Sequence, residues 1–189
     1  MNEEVKTPAK WLQYLLYVGI AAAVKSLLVN LLPGGLSRWL GFALSALSIY
    51  LLFQLIASNA RYKTAALFCT GSLICNLVGI QALALAASIC AIVGQYQEYN
   101  AHGELIAERD YKFADKWSKL FWLQFAVELI GGLLISMVAV AMTAAGGMEA
   151  ASIIAMATVA ISSVTVCLKV VYLVYLHRTI RLLETEVTE

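Results

Sequence analysis

The chain has 189 residues, 61% hydrophobic and 13% charged, with a formal net charge of +1. A soluble domain is near half apolar and a quarter charged, so these figures exclude an ordinary globular core, a disordered chain and a disulfide scaffold. The charge balance supplies neither a basic patch for nucleic acid nor an acidic sink for cations, and a single polytopic transmembrane domain remains.

A bilayer core about 30 Å thick takes about 20 apolar residues per helix. The first such stretch, 11–32, is interrupted only by Lys25 and ends at Pro33-Gly34-Gly35, a helix breaker. Its start resembles a secretory leader, with Ala21-Ala22-Ala23 in the place of a cleavage site. Glu3 and Glu4 offset Lys6 and Lys10, however, so it reads as a retained first span. The second span, 38–58, lies in the uncharged stretch between Arg38 and Arg61. From Thr64 to Gln97 no charge occurs, and one helix of that length would measure about 51 Å, well beyond a bilayer core. Folding back near Asn76, Gly79 and Gln81 divides it into spans at 59–78 and 80–99. A charged loop, 100–116, follows, with Gly103 breaking the fourth helix and Asp115 capping the fifth. The last spans, 117–145 and 149–177, turn at Gly146-Gly147.

Charge asymmetry favours six spans. With the N-terminus inside, ten of the 13 lysines and arginines fall on the inner side and Arg38 alone on the outer, with Lys25 and Lys169 embedded. Five spans, the lesser alternative, divide the same eleven as seven against four. The expected fold is therefore an all-α bundle of six transmembrane helices in three hairpins, both termini cytoplasmic, in a cell membrane. Trp11, Trp117 and Trp122 near the inner boundary and Trp39 near the outer one suit interfacial rings.

Polar stripes run inside the apolar helices. Steps of three and four put Gln81, Ser88, Gln95, Glu98 and His102 on one face of the fourth helix, and Cys69, Ser72 and Asn76 on one face of the third. Thr158, Ser162, Thr165 and Lys169 do the same in the sixth. Lipid tails offer no hydrogen-bond partner, so these faces are expected to meet, either as packing surfaces or as the lining of a polar cavity. Glu128 and Lys169 sit at matched depth, roughly 12–13 Å from the inner boundary, on neighbouring helices. An ion pair between them, with Gln54 and Gln124 as hydrogen-bond partners, would offset the cost of burying each charge. It would register the last hairpin or couple protons or cations. Lys25 and Arg38 are candidate outer-side contacts for an anionic or zwitterionic solute. The four cysteines lie in apolar runs and read as free thiols acting as small hydrophobes.

No metalloprotease, nucleophile-elbow, Walker or dinucleotide motif occurs, and no cofactor is expected. Glu98 and His102, at i and i+4 with Glu104 and His177 near the same face, form a weak metal or acid–base candidate. The leading functional expectation is a non-enzymatic solute-binding or transport component that depends on partner subunits or a second copy. The alternatives are a scaffold docking another membrane protein and an intramembrane enzyme working through Glu98 and His102.

Overall fold

The computed structural model describes residues 3–28, 33–145 and 149–185. Over these the chain is helical throughout, with α1 (Glu3–Leu27), α2 (Gly34–Gln54), α3 (Arg61–Val78), α4 (Ala84–Ile106), α5 (Tyr111–Ala145) and α6 (Glu149–Glu184), and a short 3-10 turn (Gln81–Leu83) before α4. The long neutral segment does double back. Gly79 caps α3 in the left-handed conformation, φ 69°, where a side chain would be strained. The other expected turn, Gly146-Gly147, lies outside the described residues.

Successive helices run up and down. The connections 55–60 and 107–110 lie at what we call the base, and residue 33 and Gly79 lie at the top. The base is the packed end. Leu12 and Leu15 of α1 are buried three residues apart, as are Leu52 of α2 and Leu55 just after it, and they share one core with Tyr62, Phe113, Trp117, Leu176 and Ile180. Trp117 donates its indole N–H to Thr179 Oγ1 at 3.2 Å, which satisfies both polar groups in the interior. At the top, large apolar side chains face outward: Leu85 is 72% exposed, Met137 68% and Val140 70%.

The hairpin of α3 and α4 is closely fitted. A Cβ placed on Gly94 would lie 2.7 Å from Cys69 Sγ, and one on Gly71 would lie 3.5 Å from Cys90 Sγ. Each thiol fills a notch left by a glycine on the facing helix. All four cysteines are free, as expected.

Several boundaries move. Asp110, not Asp115, caps α5, accepting from the Phe113 N–H at 2.9 Å, while Asp115 lies inside the helix and pairs with Lys119. Gly103 does not break α4; it is buried within it and lets Ala114 of α5 approach. The loop expected at 100–116 shrinks to 107–110, because Tyr99, His102, Ile106, Phe113 and Trp117 form one buried face that continues both helices. Among the described residues three helices are long and apolar enough to cross a membrane, not six: α2, the Tyr111–Val138 part of α5 and the Thr158–Glu184 part of α6. In α3 the apolar content is diluted by Arg61 and Lys63 and in α4 by Gln95, Gln97 and Glu98, all toward the base, where Arg61 bonds Gln97.

Candidate functional site

The polar faces of α2, α3 and α4 converge on one cavity of about 590 Å³ in the upper part of the bundle. On α2, Arg38, Phe42, Ser45, Ser48 and Leu52 follow one another by three or four residues and so line one wall. Cys69, Ser72 and Asn76 supply the α3 wall, and Ala91, Gln95 and Glu98 the α4 wall. Arg38 and Leu52 are fourteen residues apart, about 21 Å of helix, so the space is long and narrow.

Its two ends differ in charge. Near the top, Lys25 of α1 reaches across to Gly41, where an added Cβ would come within 3.0 Å of the ammonium. The Arg38 guanidinium lies over the Phe42 ring at 5.6 Å. Among the described residues no carboxylate pairs with either cation. At the floor stands Glu98, the one acid in the lining, with its side chain 15% exposed.

Below Glu98 a hydrogen-bonded network continues into the aromatic core. The Tyr172 hydroxyl of α6 donates to Glu98 Oε1 at 2.7 Å. The same oxygen lies 3.6 Å from His102 Nε2, and the fully buried imidazole holds its Nδ1 2.7 Å from the Tyr62 hydroxyl. With that hydroxyl donating to Nδ1, the ring proton sits on Nε2 and faces Glu98. Nε2 is the buried side-chain nitrogen left without a hydrogen-bond partner among the described residues. Trp117 packs on the imidazole with ring centres 4.8 Å apart, and Tyr62 and Tyr172 complete the enclosure. A second chain runs from the Tyr99 hydroxyl to Gln124 Oε1 at 2.6 Å and from Gln124 Nε2 to Glu128 Oε1 at 2.9 Å. Among the described residues the arrangement holds two cations without a carboxylate partner above a single acid.

The candidate residues divide. Asn76 and Gln95 line the cavity, Lys25 and Arg38, expected as outer-side contacts, lie in its wall as well, and Glu98 joins them as its floor. Gln81, Ser88, Thr158, Ser162 and Thr165 do not line it. Ser88 and Thr165 each donate to the carbonyl four residues back, on Ala84 and Ile161, so their hydroxyls need no cavity. The upper part of α6 packs on α5, with Gly131 against Ile161, and so stays away from α4. Gln124 does bond Glu128, but no ion pair joins Glu128 to Lys169, and Gln54 is not part of the network. Depth is matched; direction is not. Lys169 is eight residues from Ile161, about 80° round the helix from the α5 contact, and its side chain is exposed. Glu98 and His102 are adjacent, yet His177 is exposed elsewhere on α6 and Glu104 pairs with Arg61 at 2.6 Å, so these four do not gather as one ligand set.

The α2 wall was missed by sequence reasoning, although Arg38, Phe42, Ser45 and Ser48 carry the same three-and-four spacing used for α3 and α4. The Tyr62–His102 bond spans 40 residues and has no local signature. Compared with known proteins, the chain matches no family model, no curated protein and no solved structure, and its own geometry alone bears on function.

Proposed function

We propose that the chain is a six-helix membrane bundle, both termini on the inner side, that binds a small solute from the outer side and serves as a transport component. The carrying observation is the cavity of about 590 Å³ with Lys25 and Arg38 in its wall and no carboxylate beside them among the described residues. An unpaired lysine within an apolar helix is costly in lipid unless water or a ligand meets it, at about 2.5–3.5 kcal/mol on insertion scales. The exposed Leu85, Met137 and Val140 suit contact with acyl chains, and α2, α5 and α6 have the length and apolarity for spans. The less apolar α1, α3 and α4 complete the bundle, with Lys25, Asn76 and Gln95 turned toward the cavity.

Cys69 gives a direct test, because it lines the cavity. With Cys75, Cys90 and Cys167 replaced by serine, a small charged thiol reagent added to the outer side should modify Cys69 in intact membranes. Protection of Cys69, and equally of cysteines placed by Ser45→Cys and Ser72→Cys, in protein shown to be folded, would mean a closed, dry interior and sink the reading.

Dependence on a partner has its own support. Lys169 is exposed midway along the apolar part of α6, and Ser162 and Ser163 are exposed one to two turns before it. A partner subunit or second copy carrying an acceptor at that depth would shield this face. Docking without solute binding, the scaffold alternative, predicts the same contact together with an unlabelled Cys69.

A further inference from the structure

The charges of the cavity specify more than a solute of unstated class. We propose that it takes a small anion together with one proton, the anion held by Lys25 and Arg38 and the proton held by Glu98 against His102. This rests on the solute-binding reading above and adds the chemical class of the solute and its coupling to pH.

Lys25 and Arg38 are unmatched by any carboxylate among the described residues, and Asn76, Ser45 and Ser72 add neutral hydrogen-bonding groups to the same lining. Such a wall suits a carboxylate or similar anion. Glu98 opposes it. An ionised carboxylate at the closed end of a narrow space repels any anion that enters, and the low-dielectric surroundings strengthen that repulsion. Taking one proton from the water of the cavity makes the carboxyl neutral, and returning it restores the charge; nothing else need change covalently.

The floor is built to hold that proton. Glu98 Oε1 already accepts from Tyr172, and His102 Nε2, fully buried and without a hydrogen-bond partner, stands 3.6 Å away. A proton taken up by the carboxyl raises the charge at the floor by one, with the buried imidazole beside it. The other titratable groups around the pair are phenols and a thiol: Tyr62 and Cys69 from α3, Tyr99 from α4 and Tyr172 from α6. From α5, Trp117 faces it directly, while Glu128 is reached only through Gln124 and Tyr99. Lys25 of α1 and Arg38 of α2 line the same cavity above. No second acid competes at the floor itself.

The test uses the full chain in lipid nanodiscs, with benzoate and succinate as anionic probes and choline as the cationic one. Wild-type affinity for an anionic probe should rise about tenfold for each unit of falling pH while Glu98 is ionised, then level off. Glu98→Gln should bind the probe at every pH with the slope gone. Lys25→Met with Arg38→Met should weaken binding several-fold at all pH values and leave the slope intact. Independently of any variant, adding the probe to lightly buffered wild-type protein should draw about one proton from solution per anion bound. A flat wild-type profile, a slope that survives Glu98→Gln, no proton uptake, or choline binding that Glu98→Gln abolishes would each overturn the proposal. Failure of both anions to bind while Cys69 remains accessible to the thiol reagent refutes the anion assignment and leaves solute binding standing. Protection of Cys69 and of the cysteines placed at Ser45 and Ser72 removes the cavity itself.

Discussion

The base and the top of the bundle are made from the same six helices but solve different problems. At the base, polar atoms are enclosed and paired: Trp117 with Thr179, Tyr62 with His102, Tyr99 with Gln124. Rings of Tyr99, His102, Trp117, Tyr172 and Tyr175 pack edge-on or tilted at 4.8–6.2 Å, a range in which aromatic pairs attract beyond simple area burial. At the top, few side chains are buried, large apolar groups point outward, and the interior space is lined by polar groups together with Phe42, Ile49 and Leu73. The contrast teaches that rigidity and openness are divided lengthwise along each helix rather than between helices. Glu98 stands at the border, with Tyr172 and His102 beneath it and the cavity above.

Substitutions sharpen that division. Trp117→Ala removes a fully buried ring and orphans the Thr179 hydroxyl, and is expected to cost about 3–5 kcal/mol, read as a lowered midpoint in denaturant unfolding. If the loss is below about 1 kcal/mol, the base is not the core of the molecule. Next in size is Gly94→Ala, whose Cβ meets Cys69 Sγ at 2.7 Å and Cys69 N at 3.2 Å, for an expected loss of about 1–3 kcal/mol. Gly132→Ala is its control: nothing lies within 4 Å, and it should be neutral or gain up to about 1 kcal/mol from helix propensity. Equal effects from the two glycines would erase the distinction between a fitted hairpin and a free helix face. The smallest change in stability is expected for Ser48→Leu, within about 0.5 kcal/mol, because the Ser48 hydroxyl is spent on the Leu44 carbonyl and orphans nothing. Its larger effect is on access, since a leucine there fills the cavity and should slow modification of Cys69 several-fold.

Much of the fold is legible from local signals. The Pro33-Gly34-Gly35 break, the length of the neutral segment and Gly79 at its middle locate the turns between the first four helices, although α1 starts eight residues before the expected span and α4 ends seven after it. Less legible is where amphipathic ends continue as helix: residues 100–116 read as a loop because their charges are conspicuous. Their buried face, His102, Ile106, Phe113 and Trp117, becomes apparent only once α4 and α5 pack together. The site shows the same limit. Depth along a helix follows from counting residues, and Lys25, Arg38 and Asn76 do line one cavity, whereas Gln81, at similar depth, does not. Azimuth depends on which neighbour each helix chooses, so Lys169 points away from Glu128, and α6 leaves the cavity to α2, whose serines were available in the sequence all along.

The paired thiol notches between α3 and α4 have a consequence for alignment. Cys69 sits against Gly94 and Cys90 against Gly71, so a slip by one turn, about 5.4 Å, would drive Cys69 onto Cys90 or Glu98. Two sulfur keys cut on opposite strips of the hairpin thus forbid sliding in either sense. The vertical offset between Asn76 and Glu98 is thereby set like the spacing of marks on a ruler, and whatever occupies the gap is measured against a fixed length.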